Sequence, residues 1–250
     1  MKYFEKKIKS NKAYLIPLGD IHIGDKMCNY ALLKDHIDWV KSEPDAYVLG
    51  MGDWLNVATR SSKSSPFQQD LTLQEQITKC AEIFEPIKHK ILGMIQGNHE
   101  NRLEKECGFD PLCTVALALN IPYFKYSVVG CLVVGDKRPI GYTFYAHHST
   151  GGGSTVGAKL NRIDKLRGIV SNCDMYLGGH NHQLGIIPVI TKTVDVIHKK
   201  VIDKRQLLVD CGSFLGWEDG YAEQMMLQPA KLGCPRIRLN GDKRDIHASI

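Results

Sequence analysis

The sequence predicts an α/β fold, and three observations carry that reading. Apolar, β-rich runs alternate with helically spaced ones through the first two thirds of the chain. The composition is that of a globular chain, with 43% hydrophobic and 24% charged residues. Short clusters of Asp, Asn and His follow directly on the apolar runs.

The composition excludes wholesale disorder, collagen and coiled coil. A chain of 250 residues buries roughly 75% of its unfolded surface and needs no disulfide staples. No apolar run approaches the ~20 residues that span a bilayer. The opening MKYFEKKIKSNK is charged and amphipathic and lacks the apolar core of a secretory signal. The expectation is one domain over residues 1–250, cytoplasmic and without a membrane partner.

Ala13 to Leu18 reads as a strand ending at Gly19-Asp20. Leu32, Leu33, Ile37 and Val40 fall on one face of a helix over Tyr30 to Lys41. Ala46 to Leu49 is a second strand, and Leu73 to about Pro86 a second helix. Ile91 to Ile95 is a third strand, ending at Gly97-Asn98-His99-Glu100. Strand, helix, strand, helix, strand is the rhythm of βαβ units around a parallel sheet. Val128 to Val134 and Ile140 to Ala146 form a hairpin around Gly135 to Arg138, and Thr155 to Val170 a helix. Met175 to Leu177 is a further short strand, and 185 to 211 holds two or three more. Residues 186–250 are sheet and tail of the same domain.

None of the eight cysteines makes a C-x-x-C pair. Most lie in apolar stretches, where a free thiol is a small buried hydrophobe. The formal charge of +5 is mildly basic and permits a phosphate-bearing substrate. The basic stretches Lys6 to Lys12 and Lys199 to Arg205 lack interleaved aromatics and read as solvated faces, with a nucleic-acid footprint as the lesser alternative. Arg60, Lys63 and Lys159 read as solvated surface near the rim.

The chemistry sits after the strands. Asp20-Ile21-His22, Asp53, Asn98-His99-Glu100, His147-His148 and His180-Asn181-His182 each follow an expected strand end. In open α/β sheets those ends converge on one crevice. The donors are carboxylates, an amide and imidazoles, a mixture that suits Mn²⁺, Fe²⁺ or Zn²⁺. Any one triplet arises by chance; five in order, with glycines beside them, point to a metal site.

These blocks, D-x-H, G-D, G-N-H-[DE], H and G-H-x-H, resemble the calcineurin-like metallophosphoesterases, over about residues 13–185. The resemblance implies two packed mixed β-sheets flanked by helices, a four-layer α/β/β/α sandwich. It implies two divalent ions, Mn²⁺ foremost, with Fe²⁺, Zn²⁺, Ni²⁺ or Co²⁺ as alternatives. Asp20, His22, Asp53 and His182 would hold one ion, and Asp53, Asn98, His147 and His180 the other. Asp53 would bridge them. Relatives usually place the fourth ligand first after the strand, which selects His147 over His148; one of the two serves, because successive strand side chains point to opposite faces. His99 would be the catalytic histidine. Glu100 either orients a neighbouring side chain or is a helix-start carboxylate.

The implied activity is hydrolysis of a phosphate ester by a hydroxide shared between the ions, with a phosphodiester (nucleotide or nucleic acid) ahead of a phosphomonoester. Trp54-Leu55-Asn56 stands where Ser/Thr protein phosphatases carry V-D-R-G, which argues against a phosphoprotein substrate. The rival is a non-catalytic binding module on the same fold, which sits poorly with an intact His99. The loop His148 to Thr155 holds Gly151-Gly152-Gly153, either a backbone approach to phosphate or a hinge.

Overall fold

A computed structural model describes the chain except residues 63, 64, 152, 154, 219, 225 and 227. Lys63, Gly152 and Ser154 of the readings above therefore lie outside the described residues. In chain order the elements are β1 (Lys2–Ile8), β2 (Lys12–Leu18), α1 (Tyr30–Ser42), β3 (Ala46–Gly50), α2 (Leu73–Phe84) and β4 (Ile91–Ile95). Next come α3 (Asn98–Cys107), α4 (Pro111–Leu119), β5 (Tyr123–Lys125), β6 (Ser127–Val134), β7 (Ile140–His147) and α5 (Val156–Lys165). Then follow β8 (Met175–Gly178), β9 (Leu184–Asp195), β10 (Lys200–Cys211), β11 (Arg236–Asn240) and β12 (Ile246–Ser249).

The strands form two six-stranded mixed sheets, in the orders β1-β6-β7-β8-β10-β9 and β12-β11-β2-β3-β4-β5. The βαβ rhythm of the first hundred residues gives the parallel run β2, β3, β4, and β5 extends it in parallel. The sheets face each other through Leu15, Leu49 and Ile95 on one side and Leu132, Phe144, Leu177 and Val209 on the other. Outside the second sheet, Leu33 and Ile37 of α1, Ile77 and Phe84 of α2 and Leu112 and Val115 of α4 bury against Ile16, Val48 and Met94. Outside the first, Ile163 of α5 packs on Tyr145, Tyr176 and Leu208. The result is a helix, sheet, sheet, helix layering. The inner strands β2, β3, β4, β7 and β8 bury apolar side chains on both faces, whereas the edge strands β1, β9 and β12 stay largely exposed on one.

Local chemistry sets the helix ends. Asn29 caps α1 by accepting from the Leu32 N–H, and Thr72 with Glu75 forms a reciprocal capping box at α2. The expected helix to Pro86 stops at Phe84 and tightens into a 3₁₀ segment, Glu85–Lys90, because Pro86 has no N–H to continue the ladder. The expected helix to Val170 likewise ends at Lys165 in a 3₁₀ turn, Leu166–Gly168.

Some elements differ from the sequence reading. The basic stretch Lys6 to Lys12 begins in the last residues of the edge strand β1, which is parallel to β6, and ends at the start of β2. Phe4 stacks on Phe124 and Ile8 is buried, while the lysines between them point away or lie along aromatic rings, Lys6 over Tyr47 at 5.1 Å. Lysines on a sheet edge oppose further strand pairing. Residues 236–249 are a pair of strands rather than tail, with β11 antiparallel to β2. Among the described residues, no helix is long and apolar enough to cross a membrane.

Candidate metal centre

Loops that follow β2, β3, β4, β7 and β8 at one end of the sandwich bring the Asp, Asn and His clusters together. The Asp20 N–H donates to the Gly52 carbonyl at 2.9 Å, and the Ile21 and His22 N–H groups donate to the Asp53 carbonyl at 2.8 and 3.1 Å. The first two blocks are thereby locked edge to edge. The Asp20 carboxylate accepts the His180 N–H at 2.9 Å, which brings in the loop after β8. Its carbonyl accepts the Phe214 N–H and the Ser213 hydroxyl, which fastens the segment after β10.

The backbone here is strained. Asp20, His22, Asp53, His180 and His182 all have φ between +50° and +71°. For residues with a Cβ the left-handed region costs roughly 1–2 kcal/mol each. Such strain persists only where surrounding contacts over-determine it, and it gathers at functional sites. The hydrogen bonds just described are those contacts.

Two glycines are required by close approach. At Gly52 φ is +89°, and an added Cβ would lie 2.6 Å from the Gly97 nitrogen. At Gly97 it would lie 2.1 Å from Oδ1 of Asp53.

Three groups of side chains place their ligand atoms within 4.8 Å of one another: Asp20, His22 and His182; His22, Asp53 and His99; and Asp53, His148 and His180. Nε2 of His182 is 3.4 Å from Oδ1 of Asp20 and 3.1 Å from Nε2 of His22. Nε2 of His148 is 3.2 Å from Oδ2 of Asp53 and 3.0 Å from Oδ1 of Asn98. His180 turns its Nε2 to the Gly151 carbonyl at 2.8 Å.

The fourth block corrects the sequence reading. His148, not His147, enters the cluster. Along β7, Tyr142, Phe144 and Ala146 face the space between the sheets, and Tyr145 faces α5. His147 ends the strand on the Tyr145 face, and its Nδ1 accepts the Ser149 N–H at 2.7 Å. His148 returns to the inter-sheet face, where its Nδ1 meets the Met51 carbonyl at 2.7 Å.

Asp20 and Asp53 are fully buried. Among the described residues no lysine or arginine pairs with either carboxylate; their neighbours are imidazoles. Burial pushes the Asp53 carboxyl up, but His148 and His99 outweigh this and hold it well below its ordinary value. Burial lowers His22 and His180, which keeps these rings neutral with a lone pair to give, and burial lowers His99 against the opposing pull of the Asp53 carboxylate. Burial also pulls His148 down, yet the Asp53 carboxylate reverses this and raises it. Nδ1 of His22 is buried without a hydrogen-bond partner. Two buried carboxylates with no described lysine or arginine beside them, together with an amide oxygen and imidazole nitrogens, are a donor set that fits divalent ions.

His99 is held from behind. Its Nδ1 lies 2.5 Å from the Asn56 carbonyl, leaving Nε2 toward the cluster, 4.0 Å from Oδ2 of Asp53. Glu100, fully buried, accepts the N–H groups of Asp53, Gly97 and Leu55 at 3.1, 2.9 and 3.0 Å. Burial and the Asp53 carboxylate push it up to about 8. It thus fixes the backbone of the second block as well as opening α3. Asn181 donates to Asp210 at 2.9 Å and so anchors the loop that carries His180 and His182. Neither Asp210 nor the Asn56 carbonyl stands out in the sequence, because both act from outside the repeated blocks. Lys159, expected on the surface, is buried, and Trp54 is a core residue stacked on Phe84.

Among solved structures, the chain is similar to the NAD nucleotidase NadN of Haemophilus influenzae, with a TM-score of 0.47 and 11% sequence identity. The match covers 97% of this chain and 50% of that one, so the chain spans about half its length. No family model and no curated protein matches the chain.

Proposed function

We propose that the protein is a metal-dependent phosphoesterase of the calcineurin-like kind, with two divalent ions bridged by Asp53. The observation that carries this reading is that two Asp/His groups of ligand atoms share the Asp53 carboxylate. One ion falls to Asp20, His22, Asp53 and His182, and the other to Asp53, Asn98, His148 and His180. Mn²⁺ is the first choice for such oxygen and nitrogen donors, ahead of Fe²⁺, Zn²⁺, Ni²⁺ and Co²⁺. Bound there, a pair of ions supplies Lewis acidity toward phosphoryl oxygens and lowers the pKa of a water.

The chain's own groups do the rest. Nδ1 of His99 is tied to the Asn56 carbonyl, so Nε2 faces the reacting oxygens and can deliver a proton to the departing alcohol. Glu100 and Asn181 hold the ligand loops in register. A phosphodiester is the preferred substrate, supported by the mild positive charge and by Trp54-Leu55-Asn56 in place of a protein-phosphatase signature. The expected result with Mn²⁺ is faster hydrolysis of bis-p-nitrophenyl phosphate than of p-nitrophenyl phosphate. No turnover of either ester with any of these ions overturns the phosphoesterase reading, and turnover of the monoester alone overturns the diester preference.

The bridge has its own test. Asp53→Asn retains one oxygen but loses the charge shared by both ions, so elemental analysis finds fewer than two metals per chain. An unchanged stoichiometry would remove Asp53 from that role.

A further inference from the structure

A cavity of about 300 Å³ opens beside His182. Its walls include Met27, Leu215 and Trp217, and its polar groups include Lys159 and Ser213. The walls are tied to the candidate metal centre. The Gly216 N–H donates to the Met27 carbonyl at 2.8 Å, Cys28 bridges to Leu215, and the Ser213 hydroxyl donates to the Asp20 carbonyl. The cavity therefore stands at a fixed position relative to Asp20 and His22.

Lys159 is the informative residue. It is 3% exposed and lines this cavity, and no described residue takes a hydrogen bond or ion pair from its ammonium. The Asp210 carboxylate acts on this ammonium without a hydrogen bond between them, so an occupant of the cavity that carries an acceptor would satisfy donors left open in the fold. One side of the wall is the Met27 thioether, Leu215, Leu232 and the half-buried indole of Trp217, surfaces that favour a flat, polarisable ring, and the exposed Glu218 with Gln228 stands at the other. The volume is at the low end for ligand sites, enough for one ring system but not for a length of polymer. A plain alkyl alcohol offers neither a flat face nor an acceptor edge; a nucleobase offers both.

Resting on the phosphoesterase reading, we infer that this cavity is the pocket for the esterified group. It takes the base of a mononucleotide unit on Trp217, with Lys159 donating to an acceptor on the base edge. The substrate class is then a nucleotide-sized phosphate ester rather than a nucleic-acid strand or a phosphoprotein.

The test compares AMP with ribose 5-phosphate, which share phosphate and sugar and differ by the base. Binding to the full chain is measured by calorimetry with chelator present, so that no ester is consumed. AMP binds about 10- to 100-fold more tightly, the range that base stacking on an aromatic provides. Trp217→Ala removes most of that preference and Trp217→Phe restores it, while Lys159→Met reduces it separately. Equal affinities for the two ligands, or a preference that survives Trp217→Ala, overturns the pocket. A Trp217-dependent preference in a chain that hydrolyses no ester with any divalent ion upholds the pocket and overturns the hydrolase reading alone.

Discussion

Replacing Glu100 by alanine lowers the stability of the protein by about 3–5 kcal/mol, since three buried donors then lose their acceptor at a cost of roughly 1–3 kcal/mol each, offset in part by water entering the space. Oε2 of Glu100 takes the N–H groups of Asp53 and Gly97, and Oε1 takes that of Leu55. The side chain is fully buried, so solvent does not compete for these donors in the native protein. For a chain of this size the loss lowers the melting temperature by about 6–20 °C, at 2–4 °C per kcal/mol. Glu100→Gln separates hydrogen bonding from volume. One oxygen remains to accept two of the amides, but the new NH₂ faces the third donor, so roughly half of the loss returns. Urea unfolding of the two variants measures both effects. A loss below about 1 kcal/mol for the alanine variant would mean that the three amides find other partners.

The second large effect separates the adjacent histidines. His148→Ala reduces metal affinity and phosphoester hydrolysis by about 100-fold or more, because changing even an outer partner of a metal ligand costs 10–100-fold. His147→Ala leaves both nearly as they are. The reason is geometric: Nε2 of His148 lies among Asp53 and Asn98, whereas Nδ1 of His147 is engaged by the Ser149 N–H. Metal content by elemental analysis reads this independently of turnover. Equal losses in the two variants, or a larger one for His147→Ala, would reverse the assignment.

That pair also marks where the sequence stops being legible. Strands with wholly apolar cores, such as Ile91 to Ile95, and helices with a clean apolar face, such as α1, are visible because burial acts on nearest neighbours along the chain. The placement of Asp20, Asp53, Asn98 and His180 at the ends of such strands was visible for the same reason. His148 required knowing which face of β7 looks between the sheets, which depends on the partner sheet. Lys159 reads as surface because lysine is seldom buried, and only the folded loops show the cavity that it lines. Lys6 to Lys12 reads as a solvated face until β1 is seen to pair with β6 and to bury Phe4 and Ile8 on one side. The left-handed backbone at Asp20, His22 and Asp53 leaves no local mark at all, since none of these residues is glycine; it is imposed by hydrogen bonds from segments far away in the chain.

The fastening of Asp20 by Ser213 and Phe214, together with the pairing of β11 beside β2, has a consequence for biogenesis. A nascent polypeptide can close the early βαβ units while still on the ribosome, yet its first aspartate loop lacks the clamp on its carbonyl until nearly two hundred further residues have been translated. On the proposed reading, cation capture is accordingly a late event in maturation, and intermediates released before that point would present the β2 border to one another.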